Sequence, residues 1–267
     1  VQKDLFLTGR PLPRWDIQSS LAVNMFTTAI LVDYAFHELE TPTDWSIAVA
    51  EALTTEEKRA LQSVEAILAH GWILRSYVLQ QVTLEDARHK QWPALYDWVK
   101  GLKEHDLVQL LIDGILSNLE YYNDYLKPMP AVENVLNKVG ITEPSAEGLK
   151  DPDTRQHLLK AVLLSWQVSD VDEVMETLLS PAKFHQAIIT IVQALWKKGL
   201  SNEWRQKQVT LQETIQAAQQ LKNKKLTISD LFMQITGLEP EKKAFELIEK
   251  AGSICFIPCL HLDSYLS

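Results

Sequence analysis

Leu111, Gly114, Asn118, Tyr121 and Tyr125 fall at successive helical steps. They combine an apolar wall, a gap and hydrogen-bonding groups, the mixture that a small-molecule pocket needs. Gly114 leaves the gap, Asn118 and the two tyrosines supply polar atoms, and Trp166 is a further candidate for the wall. The same row also reads as plain packing, with Gly114 letting a second helix approach closely and the tyrosines sitting at its rim. A second group, Cys255, Cys259 and His261, places two thiols and an imidazole within seven residues. That donor set suits zinc or another soft metal, but a structural zinc site takes four ligands. The two cysteines read equally as small buried hydrophobes, so neither a metal nor a cofactor is expected. A third group, Asp33, His37, Glu38 and His70, holds the side chains a helical enzyme would use for acid–base work.

Other chemistry lacks its pattern. The chain has no Gly-x-Gly-x-x-Gly, no Walker-type loop and no Gly-x-Ser-x-Gly. Its seven histidines include no pair three or four residues apart, so no helical zinc site is written into it. With 26 basic and 35 acidic residues the net charge is −9, which offers no electrostatic footprint for a phosphate backbone. This chain is not expected to contact nucleic acid itself. No apolar run reaches the roughly 20 residues that span a bilayer, and two cysteines fit a reducing compartment. A cytoplasmic protein without membrane contact is the expectation.

The elements that must position these residues are helices. From about His105 to Leu126, the residues Val108, Ile112, Ile115, Leu119, Tyr122 and Leu126 recur in alternating steps of four and three. That spacing keeps one apolar seam on a helix, whereas a strand would scatter it over both faces. Pro128 and Pro130 end it, since proline lacks the amide that would continue the ladder. Trp15 to Leu39 is apolar nearly all round, so a helix there should be buried on most sides. Start and stop signals recur downstream. Thr54 with Glu57, Ser169 with Asp172 and Thr227 with Asp230 read as capping boxes or caps. Asp151-Pro152 and Ser180-Pro181 open further helices, Gly199 should stop one, and Ser201 should cap the next. Pro240 should open the last, which ends at Gly252. Only Ser253–Pro258 looks extended. The fold class is therefore all-α, a bundle of about a dozen helices with at most one short C-terminal strand. The polar stretch Ile141–Lys150 reads as the seam, a domain linker or a long loop within one bundle, between an N-terminal bundle (1–140) and a C-terminal helical part (151–267) expected to pack on it as one composite domain.

Several marks together resemble a known family. They are Trp45 ahead of Ala-Leu-Thr-Thr-Glu-Glu, Trp92-Pro93-Ala94-Leu95-Tyr96-Asp97-Trp98, Asn118-Leu119-Glu120-Tyr121-Tyr122, and the ending Phe256-Ile257-Pro258-Cys259-Leu260-His261-Leu262-Asp263-Ser264-Tyr265-Leu266-Ser267. The chain is similar to the helical domain that precedes an ArsR-type winged helix in some bacterial transcription regulators. The resemblance implies a regulatory role, and the DNA-reading winged helix is absent from this chain. The family's DNA-contacting residues therefore have no counterpart here, and Cys255 and Cys259 inherit no metal-sensing role. The expected function is a regulatory domain that senses a small apolar or aromatic effector, mediates homodimerisation, or both. The alternatives are a helical enzyme built on the Asp33 group and a protein–protein adaptor.

Overall fold

The computed structural model describes residues 14–37, 42–68, 72–125, 134, 136–138, 145–224, 226–239, 248 and 252–261, apart from the side chains of His37, Trp72 and residues 121–125. Among the described residues there are eleven α-helices and one two-stranded parallel sheet. The helices are α1 (Leu21–His37), α2 (Asp44–Ala52), α3 (Thr55–Leu68), α4 (Trp72–Gln81), α5 (Trp92–Lys100) and α6 (Glu104–Tyr125). Then come α7 (Pro152–Ser165), α8 (Val171–Leu179), α9 (Pro181–Leu195), α10 (Ser201–Gln219) and α11 (Ile228–Thr236). The all-α reading holds. No described helix is long and apolar enough to cross a membrane.

The chain divides into two compact units, Leu21–Trp204 and a smaller one made of residues 1–20 and 205–267. The described part of the stretch 141–150, from Ser145, lies inside the larger unit and ends in a 3-10 turn at Gly148–Lys150.

In the larger unit α1 is the central element, packed against α2, α3, α4 and α9. Leu21, Met25, Phe26, Leu31 and Val32 are all within a few per cent of full burial, which accounts for a helix without a polar face. α3 packs on α9, α6 and α8, and α6 packs on α3, α4, α7 and α9. The seam of α6 is buried at Ile112, Ile115 and Leu119, as its spacing requires. Burying such side chains is worth about 1.5–3 kcal/mol each, so the seam fixes which way the helix faces. Asp106, near its start, accepts a hydrogen bond from the Tyr77 hydroxyl at 2.6 Å, which ties α6 to α4.

Several caps stand where the sequence puts them. The Thr54 amide donates to Glu57 and the Glu57 amide to Thr54 Oγ1, closing the box ahead of α3. Asp151 caps α7, Ser180 caps α9, and Thr227 with Asp230 forms a full capping box on α11. Three signals misled. Ser169 does not cap α8; the preceding position is Asp170, left-handed at φ 54° and without a side-chain cap. Gly199 does not break the backbone and Ser201 is not a cap, because Trp196–Leu200 is a π-helical turn between α9 and α10 and Ser201 itself keeps helical backbone. Gly199 keeps helical backbone and serves as a contact: a Cβ there would stand 3.2 Å from both Val49 methyl carbons. The helix proposed over 240–252 falls mostly outside the described residues.

In the smaller unit, Ser253–Phe256 is the expected strand (β2). Its partner β1, Arg14–Ile17, takes up the start of the stretch from Trp15 that the apolar pattern predicts to be helical. The two pair in parallel, Ile17 opposite Phe256, and the Gln18 amide extends the ladder to the Phe256 carbonyl at 3.0 Å. That pairing keeps residues 14–17 extended, so α1 begins only at Leu21. Ile17, Phe256, Ile215 and Leu231 form the small core beneath the sheet.

Candidate functional site

A cavity of about 470 Å³ opens within the larger unit, inside the range of small-molecule sites. α1 contributes Asp33. α3 contributes Arg59, Gln62, Ser63, Glu65 and Ala66, and α6 contributes Asn118. The turn Trp166–Asp170 and the start of α8, with Glu173 and Val174, complete the wall. On α3, residues 59, 62, 63 and 66 repeat at helical spacing, so one face of the helix lies along the cavity beside the face that enters the core.

Asn118 is the fixed point. Its Nδ2 donates to the Gly114 carbonyl at 2.7 Å and to the Ile67 carbonyl of α3 at 3.0 Å. Its Oδ1 accepts from the Trp166 indole at 2.6 Å, joining residues 48 positions apart in the chain. With Asn118 only 2% exposed, the bonds lock both the amide and the indole in place.

The turn that carries Trp166 is unusual. α7 closes in a Schellman arrangement, with the Val168 amide bonded to the Leu163 carbonyl and the Gln167 amide to Leu164, each at 3.1 Å. The left-handed position is normally glycine, but here it is Gln167 at φ 54°, followed by Asp170 at φ 54°. Two non-glycine residues in this region within one five-residue rim store strain beside the cavity.

Glu65 is the residue sequence reasoning missed. It is 3% exposed, and among the described residues neither carboxylate oxygen has a hydrogen-bond partner. Burial pushes its carboxyl well above the usual range, and the neighbouring Asp33 carboxylate adds to the effect. At the rim, Arg59 pairs with Glu173 at 3.3 Å, both well exposed. The signal was available: Leu61, Val64, Glu65 and Leu68 occupy steps 0, 3, 4 and 7, so an acid stands where an apolar residue is expected.

The sequence-derived candidates separate. Asn118 and Trp166 meet in this cavity. Gly114 does not line it; a Cβ there would lie 2.7 Å from the Ile67 carbonyl oxygen, so the glycine serves the close approach of α6 to α3. Leu111 is buried and lines a separate recess of about 150 Å³ with Leu107, Val108, Leu178 and Phe184. Tyr121 and Tyr125 lie on α6, with side chains outside the described residues. Of the acid–base group, Asp33 reaches the cavity; Glu38 and His70 lie outside the described residues, as does the His37 side chain. Cys255 is exposed and Cys259 half-buried, and their thiols donate to the Phe256 and Ile257 carbonyls at 3.8 and 3.5 Å. Among the described residues no group of three or more His, Cys, Asp or Glu side chains could hold a metal ion.

Compared with known proteins, the chain matches no family model, no curated protein and no solved structure.

Proposed function

We propose that this chain is a non-catalytic sensing module that binds a small molecule in the Asp33–Glu65–Asn118–Trp166 cavity. The observation that carries this reading is the Asn118–Trp166 hydrogen bond, which pre-sets an indole at the mouth of a roomy, partly polar cavity. A ligand that seats against Trp166 favours one arrangement of the strained turn before α8 and shifts the population of states toward it. The resemblance to the helical part of ArsR-type bacterial regulators supplies the context: a regulator whose DNA-reading winged helix is a separate segment, and whose sensing part forms a homodimer. The test of binding is the indole N–H resonance of Trp166 during titration with small aromatic compounds. Saturable movement supports sensing, and an immobile resonance across the series overturns it. The regulator context is tested by the reading frame on either side of Val1 and Ser267. A basic helix-turn-helix pattern of about 80–100 residues supports it; a frame that closes at both ends without one refutes it.

A second reading is favoured by one observation, the two buried carboxylates on the cavity wall. Asp33 and Glu65, with Glu65 holding its proton above the ordinary range, have the make-up of an acid–base pair in a helical enzyme. Turnover of any substrate that falls at least about 100-fold in Glu65→Gln would favour that reading. Binding without turnover favours sensing. The adaptor reading called for a large apolar surface patch in place of a cavity, and the cavity weighs against it.

A further inference from the structure

We propose that the effector of this cavity is a small organic cation, an amine or amidine carried on an aromatic or apolar body, with Glu65 as its counter-ion and Trp166 as its platform. The inference rests on the sensing reading and narrows it to one ligand chemistry. Its first support is Glu65 itself, 3% exposed on the cavity wall with no partner for either oxygen among the described residues. A buried carboxyl is normally hydrogen-bonded, and an unmet one costs stability unless a donor arrives. A cation with N–H groups supplies both the charge and the donors. The second support is the balance of charge. Asp33, Glu65, Asp170 and Glu173 face the cavity against a single guanidinium, Arg59, which is already paired with Glu173. An anionic ligand would meet the carboxylates of Asp33 on α1, Asp170 on the turn and Glu173 on α8, while α6 contributes the neutral Asn118. The third is Trp166, a residue 37% exposed while its N–H is held by Asn118, so its orientation is set before a ligand arrives. An indole face is the best side-chain partner for an organic cation. The room available, about 470 Å³, suits a molecule with a body of its own. A bare metal ion fits poorly, since it needs more closely gathered oxygens than the described residues offer.

The experiment titrates the full chain, labelled with ¹⁵N, with benzamidine and phenethylamine as cationic probes and with benzamide and benzoate as neutral and anionic controls. Trp166→Phe assigns the indole resonance. We expect both cations to move that resonance saturably, benzamide and benzoate to bind at least 10-fold more weakly, and Glu65→Gln to weaken benzamidine at least 10-fold. If benzamide binds as tightly as benzamidine, the charge inference is overturned while the sensing cavity stands, and that comparison needs no variant. If none of the four probes moves the Trp166 resonance, the sensing reading falls and the cation inference with it.

Discussion

Replacing Glu65 by methionine should make the chain more stable, and more so at higher pH. The carboxyl is buried on the cavity wall without a hydrogen-bond partner among the described residues. A buried polar group left unsatisfied costs about 1–3 kcal/mol. Methionine has similar length, no polar atom and a flexible shape that adapts to the wall, so its gain should be of that size at pH 7.5. For a unit of this size that is about 2–4 °C in melting temperature per kcal/mol. The pH dependence has a definite sign. Burial raises the folded-state carboxyl above its unfolded value, so the folded chain holds the proton where the unfolded chain has released it. Between the two values wild-type stability falls as pH rises, and below the unfolded value the contribution is fully present. The advantage of Glu65→Met over wild type should therefore be smallest near pH 4.5 and grow through pH 7.5. Urea unfolding followed by circular dichroism at pH 4.5, 6 and 7.5 measures it. A variant less stable than wild type at pH 7.5, or a difference that does not change with pH, would refute the assignment of Glu65 as an unmet buried acid.

Three further outcomes follow from neighbouring residues. Gly114→Ala puts a Cβ 2.7 Å from the Ile67 backbone oxygen, and since a backbone must move, we expect a loss of about 1–3 kcal/mol in the same unfolding assay. Trp166→Phe keeps an aromatic ring but leaves the Asn118 oxygen without its indole donor, at a cost of about 1–3 kcal/mol, and Asn118→Ala in that background should cost less than it does alone. Gln167→Gly removes the left-handed strain of a non-glycine residue at φ 54° and should gain about 0.5–1 kcal/mol, measured as a higher melting temperature.

The helices were legible because their signals are local. Thr54 with Glu57 and Thr227 with Asp230 specify their own caps within four residues, and the α6 seam declares its period over five turns. The parallel pairing of Arg14–Ile17 with Ser253–Phe256 was not, since nothing near residue 14 announces a partner about 240 positions away. The continuity of α9 into α10 failed for a related reason: Gly199 carries a stop signal locally, but its small size answers to Val49 across the helix interface. In the site, the polar row of α6 includes Asn118, which the structure places on the cavity wall. It could not show that Gly114 answers to a backbone carbonyl, Leu111 to a separate recess and Asn118 alone to the cavity, because those partners lie on α3, α7, α8 and α9. Glu65 was overlooked because an acid beside an apolar stripe usually reaches solvent, and only the tertiary packing denies it that exit.

Several irregularities of the larger unit border one cavity. The left-handed Gln167 and Asp170, the unmet Glu65, the neighbouring Asp33 and the partly exposed Trp166 all border the same cavity. Elsewhere the seam of α6 and the caps of α3, α7 and α9 follow local rules. A fold selected for stability alone would place an aliphatic residue at 65 and glycine at 167, as the stripe of α3 and the end of α7 invite. On the sensing reading proposed above, such departures at a single cavity are the expected mark of a bound ligand. Glu65→Met and Gln167→Gly therefore separate two accounts: if both stabilise the chain and Glu65→Met abolishes cation binding, the irregularities belong to a ligand. If they stabilise it and benzamidine binding is unchanged, they belong to no cation, and the cavity's charge is incidental.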